Sequence, residues 1–232
     1  RGLEIVGMAP SSSGGSTVGE ALNILESSDL GTLARPEALH RYFEATALAF
    51  ADRNRFVGDP AFVDVPLEQL LSQEFADERA CLIGPTAAVK PVAPGAPDGS
   101  YAPCAVPAAL AEARSAQEGL STTHLTTWDR WGNVVAYTLN IEQTGGSGIV
   151  VPGRGFLLNN ELTDFNFTPT QGSAADPNLP APGKRPRSSM SPTIVFEDGR
   201  PLLALGSPGG ASIITTVLQT LLNRFDFGMS LR

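Results

Sequence analysis

A basic surplus is missing from this chain, and its absence removes one class of function at the outset. The formal charge is −8, with 16 Lys and Arg against 24 Asp and Glu, so no basic stripe is available to follow a nucleic acid. Cysteine is almost missing as well. Cys81 and Cys104 are too few for a disulfide scaffold and lack metal-binding spacing, which leaves a single pair or two free thiols. Histidine is equally scarce: His40 and His124 are the 2 present, and neither has a Ser or Cys in a known triad setting. No apolar run is long enough to span a membrane as a helix, no internal repeat is found, and no signal peptide opens the chain. The first residues, RGLEIVGMAP, include no initial Met, and we expect the natural N-terminus to lie upstream. The compartment is left undetermined by these residues.

What is present is ordinary for a globular protein. The 232 residues are 42% hydrophobic and 17% charged, enough for a buried core in one large domain or two small ones. The acidity is unevenly spread. Residues 1–121 hold 8 Lys/Arg against 16 Asp/Glu, whereas residues 122–232 hold 8 of each. Two segments of different character therefore meet at the 121/122 junction.

Along the first segment, Leu3–Met8 reads as a short strand and Pro10–Gly15 as a loop. A helix follows, capped by Ser16 or Thr17, with Glu20 placed for a capping box behind Thr17. Its apolar spacing, Val18, Ala21, Leu22, Ile24 and Leu25, predicts a core face. A second helix is expected from about Pro36 to Arg53; His40 on it has no metal partner nearby and reads as structural or surface. The charge-rich stretch from Ala51 to Pro60 reads as a solvated helix end and turn. Val65–Ile83 reads as a third helix. From Gly84 to Ser121 the composition turns to Pro, Ala and Gly, predicting an exposed linker with a short helical turn over Ala108–Ser115.

The stretch from Thr122 to Asn140, TTHLTTWDRWGNVVAYTLN, reads as a β-hairpin turning over Asp129–Asn133. With the turn near Trp131, Thr122 faces Asn140 and His124 faces Thr138, so the four share one face. A one-residue slip would break that grouping. An ordinary amphipathic hairpin with threonines in strand positions gives the same pattern. Beyond it come a glycine loop at Gly145–Gly148, a short strand at Ile149–Val151, and a polar cluster from Asn159 to Phe165. A long Pro169–Pro186 loop ends in a basic run, Lys184, Arg185 and Arg187, followed by the adjacent hydroxyls of Ser188 and Ser189. A second hairpin joins Thr193–Phe196 to Leu202–Leu205 through Asp198-Gly199. The turn Gly206–Gly210 then leads into a helix over Ala211–Asn223.

Two of these features carry chemistry. A glycine-rich turn at a helix N-terminus offers backbone N–H groups to an anion, as a phosphate cradle, an oxyanion hole, or simply a tight turn. The phosphate-loop pattern is not met, because no Lys-Ser/Thr follows the glycines. A threonine becomes a nucleophile only when a base takes its proton. A threonine at a new N-terminus supplies that base itself, through an α-amine of pKa near ~8. That chemistry requires the Ser121–Thr122 bond to be cut, at the junction where charge and composition change.

At this point the motifs resemble those of the γ-glutamyltransferases, self-processing members of the N-terminal-nucleophile hydrolases. PSSSGG, ALNILE and FADRNRFVGDP are similar to the end of that family's large subunit. TTHLTTWDRWGN, YTLN, GFLLNNELTDF, KRPRSSMSPTIV and GSPGGASIITTVLQ are similar to the start of its small subunit. The resemblance implies an α+β fold, a four-layer αββα sandwich of the N-terminal-nucleophile type. Residues 1–121, with a linker at 84–121, would be the end of a large subunit and residues 122–232 the start of a small one, together one domain. It further implies Thr122 as the nucleophile, with cleavage between Ser121 and Thr122, and Thr138 as the hydroxyl that orients it. Asn140, Glu161 and Asp164 would hold the donor's α-amino end, Ser188 and Ser189 its α-carboxylate, and Gly209 and Gly210 the oxyanion. His124 belongs to the motif and is taken as structural.

The implied reaction releases the γ-glutamyl group of glutathione or a related compound to water or to an amino-acid or peptide amine. It needs no metal or organic cofactor. The implied partners are these small molecules and the two subunits held together after self-cleavage, with no nucleic acid and no membrane span; the implied location is periplasmic, secreted or cell-surface. The sequence departs from the family pattern in places. Its return strand is short, Glu142–Ser147 replaces the customary aromatic-glycine, and Phe165–Gly183 lacks the tyrosine of lid-bearing members. The early large-subunit portion, with its carboxylate-gripping arginine, and the end of the small subunit are not in the sequence. A cephalosporin-acylase-like relative and a non-catalytic interaction module are the alternative readings.

Overall fold

The computed structural model describes residues 1–102, 104 and 121–231. A short strand, β1 (Glu4–Val6), leads through the Ser11–Ser13 loop into helix α1 (Gly14–Leu25). The helix begins earlier than the sequence predicted. Ser13 is its N-cap, and the Ser16 and Thr17 hydroxyls donate to the Ser13 carbonyl at 3.1 and 2.8 Å instead of capping. The cause is close packing at the first turn: a Cβ on Gly14 would lie 2.2 Å from the Met190 carbonyl oxygen, and one on Gly15 2.4 Å from that of Met8. Only glycines let the backbone come so near. Glu20 is buried rather than part of a capping box.

Helix α2 (Arg35–Phe56) carries Glu37 in its first turn and Arg53 and Arg55 in its last, the order that favours the helix dipole. The charge-rich stretch at its end is not a solvated face. Asp52, Arg53 and Asp59 are all buried, each bonded to a partner distant in sequence that composition does not reveal. The single helix expected over 65–83 is instead two, α3 (Leu67–Leu70) and α4 (Gln73–Ala80). Ser72 breaks it by taking an extended backbone and accepting the Phe75 N–H at 3.2 Å. The break lets Leu70 and Phe75 close on Val57 in a small cluster of their own.

Residues 84–102 hold no helix or strand and are mostly exposed, yet they are pinned at several points. Glu44 accepts from Ala88 N and Lys90 Nζ, Asp52 from Gly95 N, and Glu78 from Ala102 N. Cys81 and Cys104 are paired in a disulfide with their Cα atoms 4.8 Å apart. The helical turn expected over Ala108–Ser115 lies outside the described residues.

The next elements are β2 (Ser121–Trp128) and β3 (Val134–Glu142), an antiparallel hairpin that forms its own two-stranded sheet. Asp129 organises its turn, with Oδ1 accepting the N–H groups of Trp131 and Asn133 at 2.9 Å each. Residues 149–151 form only a bridge, Val150 to Leu157, rather than a strand. Strands β4 (Thr193–Glu197) and β5 (Arg200–Leu205) make the second hairpin. Asp198 and Gly199 sit at φ 49° and 72°, the primed turn that Asp-Gly favours. β1 adds to the open edge of β4, Ile5 opposite Val195, so the two ends of the sequence share one antiparallel sheet, β1-β4-β5.

Helix α5 (Ser212–Phe225) follows β5. Its buried face, Ile214, Val217, Leu218, Leu221 and Leu222, meets Ile24, Leu25 and Leu48 from α1 and α2 over Val195 and Leu203 of the sheet. That contiguous apolar cluster is the core. The fold is thus a mixture of helices and antiparallel strands. Among the described residues no helix is long and apolar enough to cross a membrane.

Candidate active site

The hairpin register is the one the sequence predicted: Thr122 pairs with Asn140 and His124 with Thr138. The ladder is irregular at one place, between Ser121 and Thr122, where Ser121 pairs with Glu142 and Ile141 is passed over. This bulge lies at the proposed scissile bond. Bulges bend a strand and re-aim its side chains, and Glu142 on the opposite strand takes a left-handed φ of 73° to accommodate it.

Thr122 Oγ1 donates to Asn140 Oδ1 at 3.0 Å. The same oxygen accepts the Glu142 N–H at 2.8 Å, and Asn140 Nδ2 donates to Glu161 Oε1 at 3.1 Å. The Asn140 amide is therefore held on both sides and orients the threonine hydroxyl. Glu161 and Asp164 lie on a single 3₁₀ turn, Glu161–Asp164. Carboxylate oxygens of Glu142, Glu161 and Asp164 fall within 4.8 Å of one another. Such a cluster suits a cation, and these are the residues among those described that could ligate a metal. Glu142 is an addition to the residues expected from sequence. The signal was available: Thr138, Asn140 and Glu142 alternate along β3 and so share a face.

Thr138 is buried, and its Oγ1 lies 2.8 Å from His124 Nδ1. His124 Nε2 is 3.1 Å from Thr126 Oγ1. Burial pushes the His124 pKa below its ordinary value, so at neutral pH one ring nitrogen donates and the other accepts. The ring stacks closely on the end of β5. A Cβ on Gly206 would sit 2.2 Å from His124 Nδ1, and this contact ties the hairpin to the turn that begins there. In that turn Gly209 and Gly210 both have positive φ, 132° and 57°. Among the described residues neither donates its N–H to a protein oxygen, which leaves two donors ahead of the N-terminus of α5.

Ser188 and Ser189 are both buried, against the Ser11–Ser13 loop. Ser13 N and Oγ each donate to the Ser188 carbonyl at 2.8 Å, and Ser12 Oγ donates to that of Met190 at 2.7 Å. Arg53, on the last turn of α2, reaches the same place: Nε donates to Ser13 Oγ and Nη2 to Ser189 Oγ, both at 2.7 Å. Asn178 joins this group to the acidic one, since Nδ2 donates to the Asp164 carbonyl at 2.6 Å and Oδ1 accepts Arg187 N at 2.8 Å. The expected residues thus fall into linked clusters. Among the described residues, Thr122 makes no direct hydrogen bond to Thr138, to the serines or to the glycines. A cleft of about 520 Å³ adjoins Thr122, walled largely by Leu139, Ile141, Phe156, Leu157 and Leu158.

This mixture of helices and antiparallel strands is similar to the fold of solved N-terminal-nucleophile hydrolases. The solved cephalosporin acylase from Bacillus halodurans superposes on 99% of this chain and 37% of its own with a TM-score of 0.75, at 28% identity. The family itself is given by sequence: the gamma-glutamyltranspeptidase profile matches residues 1–232, and the chain belongs to that family. The glutathione hydrolase proenzyme of Bacillus subtilis subsp. natto is 42% identical over 234 residues, covering 100% of this chain. That of Escherichia coli (strain K12) is 40% identical over 242 residues, covering 99%. The chain spans 39% and 38% of the length of these two relatives.

Proposed function

We propose that the chain is the central part of a self-processing γ-glutamyl hydrolase or transferase in which Thr122 is the nucleophile. The observation that carries this reading is the bulge at Ser121–Thr122, with the Thr122 hydroxyl held by Asn140 and Asn140 in turn by Glu161. On this reading residues 1–121 and 122–232 become the end of a large subunit and the start of a small one. They remain together as one domain of a four-layer αββα sandwich.

The chemistry has two halves. In the first, Thr122 Oγ attacks the Ser121 carbonyl carbon, the peptide C–N bond breaks, and the Thr122 nitrogen takes a proton. That step frees the α-amine, and water then hydrolyses the ester to release the Thr122 hydroxyl and the Ser121 carboxylate. In the second, that amine takes the Thr122 hydroxyl proton as Oγ attacks the γ-carbonyl of the donor. Asn140 orients the hydroxyl, and Thr138, held by His124 on the same face of the hairpin, is the second hydroxyl that would assist it once the α-amine is free. The N–H groups of Gly209 and Gly210 receive the oxyanion, and the leaving amine departs with a proton. Water or an amino-acid or peptide amine resolves the acyl-enzyme. Asn140, Glu161 and Asp164 match an ammonium at the donor's α-carbon, and Ser188 and Ser189 match its carboxylate.

A second reading, an acylase for other amides, is favoured by the apolar wall of the cleft beside Thr122 and by the likeness to the cephalosporin acylase. The clustered carboxylates of Glu142, Glu161 and Asp164 favour the γ-glutamyl donor, because a concentration of negative charge attracts the ammonium that this donor carries. The test is an intact mass spectrum of the protein beside Thr122→Ala, followed by release of p-nitroaniline from a γ-glutamyl anilide. We expect two fragments meeting at Ser121/Thr122 in the parent and one uncut chain in the variant, with activity only in the parent. A variant cut as the parent is would remove Thr122 from the mechanism.

A further inference from the structure

Arg53 stands outside every role assigned so far, yet it is buried and touches the serine pair. It lies on α2, before the proposed cut, whereas Ser189 lies 136 residues on, beyond it. Its guanidinium divides its donors: Nε to Ser13 Oγ and Nη2 to Ser189 Oγ, each at 2.7 Å, and Nη1 to Asn54 Oδ1 at 3.0 Å. Ser13 then passes the constraint on, through its own two bonds to the Ser188 carbonyl. One side chain thus fixes the oxygen of Ser189 directly and the backbone of Ser188 through one intermediate.

We propose that Arg53 is a positioning residue for recognition of the donor's α-carboxylate, acting through Ser189 and Ser13. This rests on the reading of Ser188 and Ser189 as the carboxylate site. An arginine N–H donating into a hydroxyl oxygen polarises that O–H and makes it a better donor to an anion. The guanidinium also sets a permanent positive charge behind the serines in a region closed to water, where it is weakly screened. Arg187, likewise buried, adds to the same side by donating to the Arg53 carbonyl at 3.2 Å. The planar fork matters as much as the charge, because the bonds to Ser13 and Ser189 diverge from different nitrogens.

Two donors separate this role from general support of the fold. One is γ-glutamyl-p-nitroanilide; the other is 4-aminobutyryl-p-nitroanilide, which keeps the amine and lacks only the carboxylate. In the full-length protein, Arg53→Met should raise KM for the first donor about tenfold, the usual scale for one charge-assisted hydrogen bond, with kcat changed much less. Its kcat/KM for the second donor should stay at the parent value. Arg53→Lys should recover only part of the loss, since the charge returns without the fork. Should Arg53→Met fail to fold or to cut itself, Ser13→Ala keeps the test open. It removes one anchor of the guanidinium and should give the same carboxylate-selective loss at smaller size. Equal losses on both donors, or no loss on either, would overturn the assignment. A parent enzyme that does not distinguish the donors would instead sink the carboxylate reading of the serines, and this inference with it.

Discussion

Glu20 shows how much one buried group contributes to the behaviour of the chain. It lies on α1, fully enclosed, beside Asp52 of α2 and Arg79 of α4, whose Nε donates to Asp52 at 2.8 Å. Burial first, and then the neighbouring Asp52 charge, push the Glu20 carboxyl well above its ordinary value, with Arg79 pulling the other way. Glu20 therefore keeps its proton and donates it to Asp52. Because the folded pKa is raised, the stability this group contributes is complete below about 4.5, its ordinary value, and is lost as pH climbs through the folded value. Glu20→Gln retains a donor to Asp52 and cannot ionise. Urea midpoints should show the variant gaining on the parent as pH is raised from 5 towards 9. Parallel profiles would mean that Glu20 is not the protonated partner.

Among the elements, the β2–β3 hairpin depends on its contact with the end of β5. A methyl group on Gly206 would meet the His124 ring, forcing the ring off Thr138. Gly206→Ala should cost about 1–3 kcal/mol by overpacking, read as a lower melting temperature, and should slow appearance of the cut fragments. Unchanged melting and cutting would show that the hairpin and β5 are not coupled through this ring. The hairpin was also the most legible part of the sequence, because strand alternation and a five-residue turn fix its register without outside help. The same holds for the Asp198-Gly199 hairpin and for the apolar stripes of α1 and α5. What could not be read depends on partners far along the chain. Ser72 breaks a helix that periodicity runs together, Gly14 and Gly15 start α1 early because of Met190 and Met8, and Asp52, Arg53 and Asp59 are polar residues whose burial is decided by Arg79, Ser189 and Arg185. Local propensity has no access to such contacts. The candidate site residues came from family resemblance; Glu142 was within reach of strand alternation along β3, whereas the bonds of Arg53 to Ser13 and Ser189 join residues too far apart in sequence to be read locally.

Taken whole, the molecule is stitched across the 121/122 junction rather than hinged there. β1 pairs with β4, Ser12 and Ser13 hold Ser188 and Met190, and Asp59 binds Arg185 through its side chain and its backbone N–H. The parts should accordingly co-elute in size-exclusion chromatography after cutting. The Arg185 guanidinium, hydrogen-bonded to Asp59, holds that carboxyl well below its usual range. Its contribution is thus present above about 3.8, its ordinary value, and is lost as pH falls through the lowered one. Asp59→Asn should start less stable at neutral pH and show a shallower decline in acid; an identical acid profile would exclude the pair from the joint. The β1–β4 pairing has one more consequence. In an uncut chain these strands meet by closing a loop, so refolding from denaturant is first order and indifferent to dilution. Once the chain is cut, the same pairing needs a collision between two molecules, and recovery should slow as protein is diluted. Cleavage would leave the β1–β4 pairing in place and still remove the route by which it was first made.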